Sequence, residues 1–217
     1  FSVGLACLSL SLSVFLCVSD GARHQAYLPI VGSGAASALL HYNENDQQME
    51  EGDLVLVDAA AELGGTRVGG GYASDITRTW PCSGRFSPKQ RAIHNIVNAQ
   101  VEAGTAMVVE GSSFTAASRA SAETMLGGLL DLGLVRDGTI EQLYSAGIHS
   151  LFMPHSLGHS VGIDVHDGGS INPFAPGMVV TVEPGALVLL VCSHCVHCYH
   201  VRVIWLSCCC YRCSDFC

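Results

Sequence analysis

The sequence predicts an α+β domain that carries its chemistry on a sheet. Strand-like runs DLVLVDA (53–59) and YASDITRTW (72–80) each hold an aspartate, and two helical patterns follow them. A last apolar run, GMVVTVEPG (177–185), holds Glu183. Strands that supply carboxylates on either side of a helical segment suggest helices packed against a sheet with the site at the sheet.

The 217 residues carry 10 Lys+Arg against 19 Asp+Glu, a formal charge of −9. Clustered cations are what hold a phosphate backbone, so no nucleic-acid partner is expected. With 49% apolar and 13% charged residues, the chain is too apolar for disorder. Residues 1–20, FSVGLACLSLSLSVFLCVSD, carry a single charged side chain, Asp20. Three readings of this head compete: a truncated targeting segment, a membrane span, or sequence foreign to the folded domain. It has neither an initiating Met nor a basic n-region, so it is expected to stand outside the fold, and a membrane partner is not expected. The middle, 21–186, has an ordinary soluble balance and enough length for one sizeable core. Its single cysteine, Cys82, shows no reliance on disulfides.

Between the first two strands, AELGGTRVGGG is a glycine-rich hairpin loop. Ser87-Pro88-Lys89-Gln90 then offers an N-cap, a proline at the first helical position and a glutamine at the third, opening a helix to about Val109. A second helix over about 115–132 places Ala116, Ala120, Met125, Leu129 and Leu132 near one face, weakened by Gly127-Gly128. SLFMPH (150–155) reads as a further strand. The tail, 187–217, interleaves Cys192, Cys195 and Cys198 with His194, His197 and His200. Thiolate and imidazole suit zinc, but zinc sites usually join two separated ligand pairs, so an aberrant end is the competing reading.

Asp58, Asp75, His159 and Glu183 lie within or at the ends of these strands. Taken singly, Asp58 could cap a turn, Asp75 could pair with Arg78, and Glu183 could face solvent. Buried together without cations, three carboxylates would raise one another's pKa, and two shared divalent ions relieve that cost. Oxygen donors with one imidazole suit Mn²⁺, with Co²⁺ or Zn²⁺ also compatible.

The wording around these residues narrows the reading. LHY (40–42), GDLVLVDA (52–59), YASDITRTWP (72–81), GRFSPKQ (84–90), HSLGHSVGIDVHD (155–167) and GMVVTVEPG (177–185) together resemble the pita-bread metallopeptidases, in the Xaa-Pro aminopeptidase and prolidase branch. The resemblance spans about residues 24–186 and implies a pita-bread catalytic domain, here C-terminally truncated. It implies metal ligands at Asp58, Asp75, His159 and Glu183, and substrate or transition-state histidines at His41, His155 and His166. His155 and His166 would donate to the developing oxyanion, and Glu183 would also shuttle a proton to the leaving nitrogen. His24, His94 and His149 match no motif position.

The implied reaction is metal-dependent hydrolysis of the peptide bond before a proline at the second position of a peptide. A prolidase acting on dipeptides and an inactive interaction module are the alternatives. A cytoplasmic or mitochondrial location and a homo-oligomer are compatible with it. SDITRTWP followed by GRF favours the aminopeptidase side.

Two departures stand out. Asp58 and Asp75 are 17 positions apart, and removing Thr66–Gly71 would restore the family's ELGGYASDITRTWP. Growing such a loop from about four to about ten residues costs only about 0.8 kcal/mol in closure entropy, so both aspartates can still face one cavity. The family's last ligand, a bridging glutamate, has no counterpart, because no glutamate follows Glu183. A second ion is therefore expected to bind weakly, and turnover to be poor.

Overall fold

The computed structural model describes residues 19, 21–22, 24–64, 71–191, 199–205 and 208–212. In chain order the strands are β1 (His24–Gln25), β2 (Ile30–Ser33), β3 (Leu54–Asp58), β4 (Ala61–Leu63), β5 (Tyr72–Ala73) and β6 (Thr77–Pro81). The helices α1 (Pro88–Ala106), α2 (Phe114–Asp131), α3 (Ile140–Ser145) and α4 (His149–Phe152) follow. Strands β7 (Val179–Val182), β8 (Gly185–Val191), β9 (Tyr199–Trp205) and β10 (Cys208–Arg212) close the described chain. The arrangement is the α+β one expected.

An antiparallel sheet in the order β2-β3-β6 carries the first aspartate. Its register sets both Ile30 and Thr77 opposite Asp58. Along β6 the period of two is plain: Thr77, Thr79 and Pro81 are buried, while Arg78 and Trp80 face out. The hairpin expected between the two aspartates exists in two pieces. Beyond Asp58 the chain leaves this sheet and forms a second one, β1-β4-β5, with Glu62 opposite Ala73. Asp75 therefore lies in the break between β5 and β6 rather than inside a strand. Ser74 makes that break: its hydroxyl donates to Ala61 O at 2.8 Å and accepts from Ala61 N at 3.2 Å, standing in for a strand pair.

The expected insertion falls largely outside the described residues, at 65–70, but its flanks are paired, Leu63 with Tyr72. Gly71 is needed where it stands, because a Cβ there would lie 2.8 Å from Leu63 O.

Helix α1 begins as its capping sequence requires. The Ser87 hydroxyl accepts from Gln90 N at 3.3 Å, and Ser87 N donates to Gln90 Oε1 at 2.8 Å. It ends at Ala106, short of Val109, where Met107 N turns to Gly104 O. In α2 the buried face is Phe114, Ala117, Ser121, Met125 and Leu129, so Ala116, Ala120 and Leu132 are off the expected stripe. Gly128 marks the closest approach of the two helices, since a Cβ there would sit 2.6 Å from Ile96 Cγ1. Alanine is the better helix former, yet Ile96 is buried and stiff at χ1. Gly128→Ala is accordingly expected to destabilise the chain by about 1–3 kcal/mol in urea unfolding, and a gain in stability would contradict this packing.

The main core joins Leu54 of β3, Ile93, Ile96 and Val97 of α1, Met125 and Leu129 of α2, and Ala186 and Val188 of β8. Strand β8 thus continues past residue 186, where composition changes, with Val188 on the core. SLFMPH is not a strand. His149–Phe152 is a single helical turn, with Met153 N closing on His149 O at 2.9 Å, and Met153 alone is driven into the core. A short apolar run without a clear period does not separate these two outcomes.

The segment 157–161 runs antiparallel to β7 in a ladder-like register. Glu183 N donates to Leu157 O at 2.6 Å, Thr181 N to His159 O at 2.9 Å, and Val161 N to Val179 O at 3.0 Å. Among the described residues no helix is long and apolar enough to cross a membrane. The head, apart from Ser19, and the Cys/His run 192–198 lie outside the described residues.

Candidate metal centre

Four elements deliver the site. Asp58 ends β3, Asp75 sits in the break before β6, His159 lies on the ladder segment, and Glu183 follows β7. Ladder pairing of 157–161 with β7 sets the last two side by side. The Thr181 hydroxyl adds to it by accepting from His159 N at 3.0 Å. Gly158 permits this approach, since a Cβ there would lie 2.1 Å from Thr181 O.

His159 Nε2 lies 3.2 Å from Asp75 Oδ2 and 3.0 Å from Glu183 Oε1. Its other ring nitrogen, Nδ1, is 2.9 Å from Ser160 O. A carbonyl only accepts, so Nδ1 carries the proton, and neutral His159 aims the Nε2 lone pair at two carboxylate oxygens. That contact is repulsive unless a proton or a metal ion stands between them. A proton serves poorly: one N–H cannot satisfy both acids, and Glu183 Oε1, buried, is left without a well-formed hydrogen bond. The donor set fits a divalent cation better.

Without an ion, protons must carry this crowding. Burial pushes the Asp58 carboxyl up to about 7, aided by the charges of Asp75 and Glu183, against hydrogen bonds from Tyr27 and Thr77. Burial alone would lower His159, but its bonds to Asp75 and Glu183 win and lift it to about 10. Ligand atoms of Asp75, His159 and His166 all lie within 4.8 Å of one another, so His166, expected as a substrate contact and oxyanion donor rather than a ligand, is within reach of the same ion. Its ring meets His159 edge to face at 4.2 Å between centroids.

A cavity of about 460 Å³ opens over these groups, lined by Asp58, Asp75, His155, His159, His166, Glu183 and His41. All seven residues singled out in the sequence meet there. A smaller cavity of about 280 Å³ shares Asp58, Asp75, His41 and His166 with it and is lined also by Tyr27. His155 Nδ1 is 2.7 Å from Ser156 O, which leaves Nε2 as an acceptor when the ring is neutral. Burial lowers its pKa, outweighing Ser156 and Glu183, and so favours that neutral form. Arg78 is exposed on β6, and Asp75 Oδ2 pairs with His159. Sequence reasoning missed Tyr27, Thr181 and Gly158: a lone tyrosine in AYLPI carries no signal, and the tight backbone approach at Gly158 exists only once β7 is docked.

Three carboxylates lining one cavity, with Asp75, His159 and His166 close enough to share an ion, make this α+β fold a candidate metal-centre protein. The chain belongs to metallopeptidase family M24, whose model matches residues 8–201. It is 40% identical over 173 residues to the Xaa-Pro aminopeptidase of Escherichia coli strain K12, covering 77% of this chain and 38% of that protein. The structure is similar to that of Pseudomonas aeruginosa aminopeptidase PepP, at TM-score 0.80 and 32% identity over 93% of this chain and 47% of the other. It is likewise similar to zinc-substituted E. coli aminopeptidase P in complex with product, at TM-score 0.77 and 36% identity, covering 88% of this chain and 43% of that one. The chain thus spans about two-fifths to one-half the length of the proteins it matches. The pita-bread fold inferred from the motifs is that of these neighbours.

Proposed function

We propose that these residues form the catalytic part of a metal-dependent Xaa-Pro aminopeptidase, which cleaves the bond before proline and releases the N-terminal residue. The observation that carries this is the convergence of Asp75 and Glu183 on one imidazole nitrogen of His159, at 3.2 and 3.0 Å. Names of the relatives favour the aminopeptidase over the prolidase and the inactive module. Asp58, Asp75, His159 and Glu183 hold the ions, Mn²⁺ being our assignment with Co²⁺ or Zn²⁺ compatible. Divalent ions bound there supply an ionised water near neutral pH and polarise the scissile carbonyl.

The remaining groups act on the substrate. His166, exposed at the rim of both cavities, donates to the developing oxyanion, a role typically worth about 2.7–4 kcal/mol of barrier. Neutral His155 suits acceptance of a substrate N–H at Nε2. Its expected donation to the oxyanion would require a second ring proton, which burial opposes. His41 borders both cavities and contacts the peptide. Glu183 passes the proton to the leaving nitrogen. A reducing compartment, cytoplasmic or mitochondrial, fits the free, exposed thiol of Cys82.

The test compares two peptides differing only in proline or alanine at position two, with Mn²⁺ present. Slow release of the first residue from the proline peptide alone is expected, abolished by EDTA and lowered at least tenfold by His166→Ala with ion content unchanged. Equal cleavage of both peptides, or full activity in His166→Ala, would overturn the assignment. With Asp58, Asp75, His159 and Glu183 as its donors, equilibrium dialysis of the 217-residue chain should find one tightly held ion. Two tightly held ions would contradict that expectation.

A further inference from the structure

We propose that Tyr27 is the positioning residue of the metal centre: its hydroxyl ties Oδ1 of Asp58 to Oδ1 of Asp75 and leaves Asp75 Oδ2 to share an ion with His159. Tyr27 donates to Asp58 Oδ1, stands 3.0 Å from Asp75 Oδ1, and accepts from Ile76 N at 3.3 Å. It lines the smaller cavity, whereas His155, His159 and Glu183 line the larger one. Ala26 N, bonded to Ala60 O at 3.0 Å, fixes the backbone beside it.

Two aspartates from different elements, one ending β3 and one in a strand break, have no backbone hydrogen bond directly joining them among the described residues. Without a donor between them they would turn apart to relieve their repulsion. With one proton to give, the phenol donates to Oδ1 of one aspartate at a time, keeping both Oδ1 atoms turned to it and leaving Asp75 Oδ2 for an ion. Partners that orient metal ligands in this way commonly account for 10–100-fold in metal affinity.

This inference rests on the metal-centre reading, and the experiment separates the two. Mn²⁺ affinity and the visible d–d spectrum of the Co²⁺-substituted chain are measured for wild type and for Tyr27→Phe, with circular dichroism as the check on folding. Wild type is expected to bind Mn²⁺, and Tyr27→Phe to bind at least tenfold more weakly with an altered Co²⁺ spectrum. Should Tyr27→Phe not fold, 4-fluorophenylalanine at position 27 replaces it, matching the tyrosine in size without a donor. In either case 4-aminophenylalanine, which keeps an N–H donor, restores affinity to within about threefold of wild type, a rescue that mere filling of space does not provide. Wild-type affinity and spectrum in the donor-less variants would overturn the role of Tyr27 while leaving the metal centre standing. Failure of wild type to bind Mn²⁺ would overturn both.

Discussion

Raising the pH from 6 to 8.5 is expected to lower the melting temperature of the EDTA-treated chain by about 5–10 °C, and excess Mn²⁺ to restore most of the loss. The sign follows from two groups. Asp58 has a folded-state pKa of about 7, above its ordinary 3.8, so its contribution is full below 3.8 and disappears as pH rises through 7. His159, lifted from 6.5 to about 10, contributes fully below 6.5 and loses that contribution as pH rises through 10. Both therefore weaken the metal-free chain in the same direction. Over this interval the two together amount to about 3 kcal/mol, once His159 is discounted for partial exposure.

A metal ion reverses the trend because its ligands must lose their protons to bind it. At a hundredfold excess over its Kd the ion adds about 2.7 kcal/mol, and its gain should be larger at pH 8.5 than at pH 6. Asp58→Asn should flatten part of the metal-free slope. Differential scanning calorimetry in matched buffers decides the matter: a metal-free melting temperature that is flat or rising with pH would show that these acids are not crowded as described.

Gly158→Ala is expected to cost about 3 kcal/mol or more and to weaken Mn²⁺ binding with it. Its Cβ would lie 2.1 Å from Thr181 O and 2.8 Å from Thr181 C, both backbone atoms that cannot swing aside. Relief requires segment 157–161 to move off β7, and that pairing seats His159 beside Glu183. Gly168→Ala is the control, because a Cβ there meets nothing within 4 Å. Urea unfolding should separate the two variants clearly. Equal stability in both, with unchanged metal affinity, would mean the ladder does not set the ligands.

That Asp58, Asp75, His159 and Glu183 share one cavity was legible in the sequence because each stands in a run whose wording and order are specific. The break at Ser74–Ile76 was not: YASDITRTW alternates as a continuous strand would, and only the Ser74 hydroxyl on Ala61 shows why the pairing stops before Asp75. Helix α4 was read as a strand since four apolar or neutral residues between turns have no period to betray them. Glycines at 127 and 128 counted against α2 on propensity, whereas Gly128 is demanded by Ile96 across the helix pair. Tyr27 was invisible, as its partners lie 31 and 48 residues away. Local pattern reports what a residue is suited to, and long-range pairing decides whether it is used.

The donors come from two separately hydrogen-bonded halves, Asp58 and Asp75 from the hairpin region and His159 and Glu183 from the β7 ladder. Among the described residues the backbone hydrogen bond between them is Ala73 N to Gly162 O, at 2.8 Å. An ion gripped by both would act as a rivet across this seam. Chelation would then do more than silence chemistry: with the core of Leu54, Ala186 and Val188 still joining the halves, it would loosen the seam locally and open Gly162 and its neighbours to a protease first.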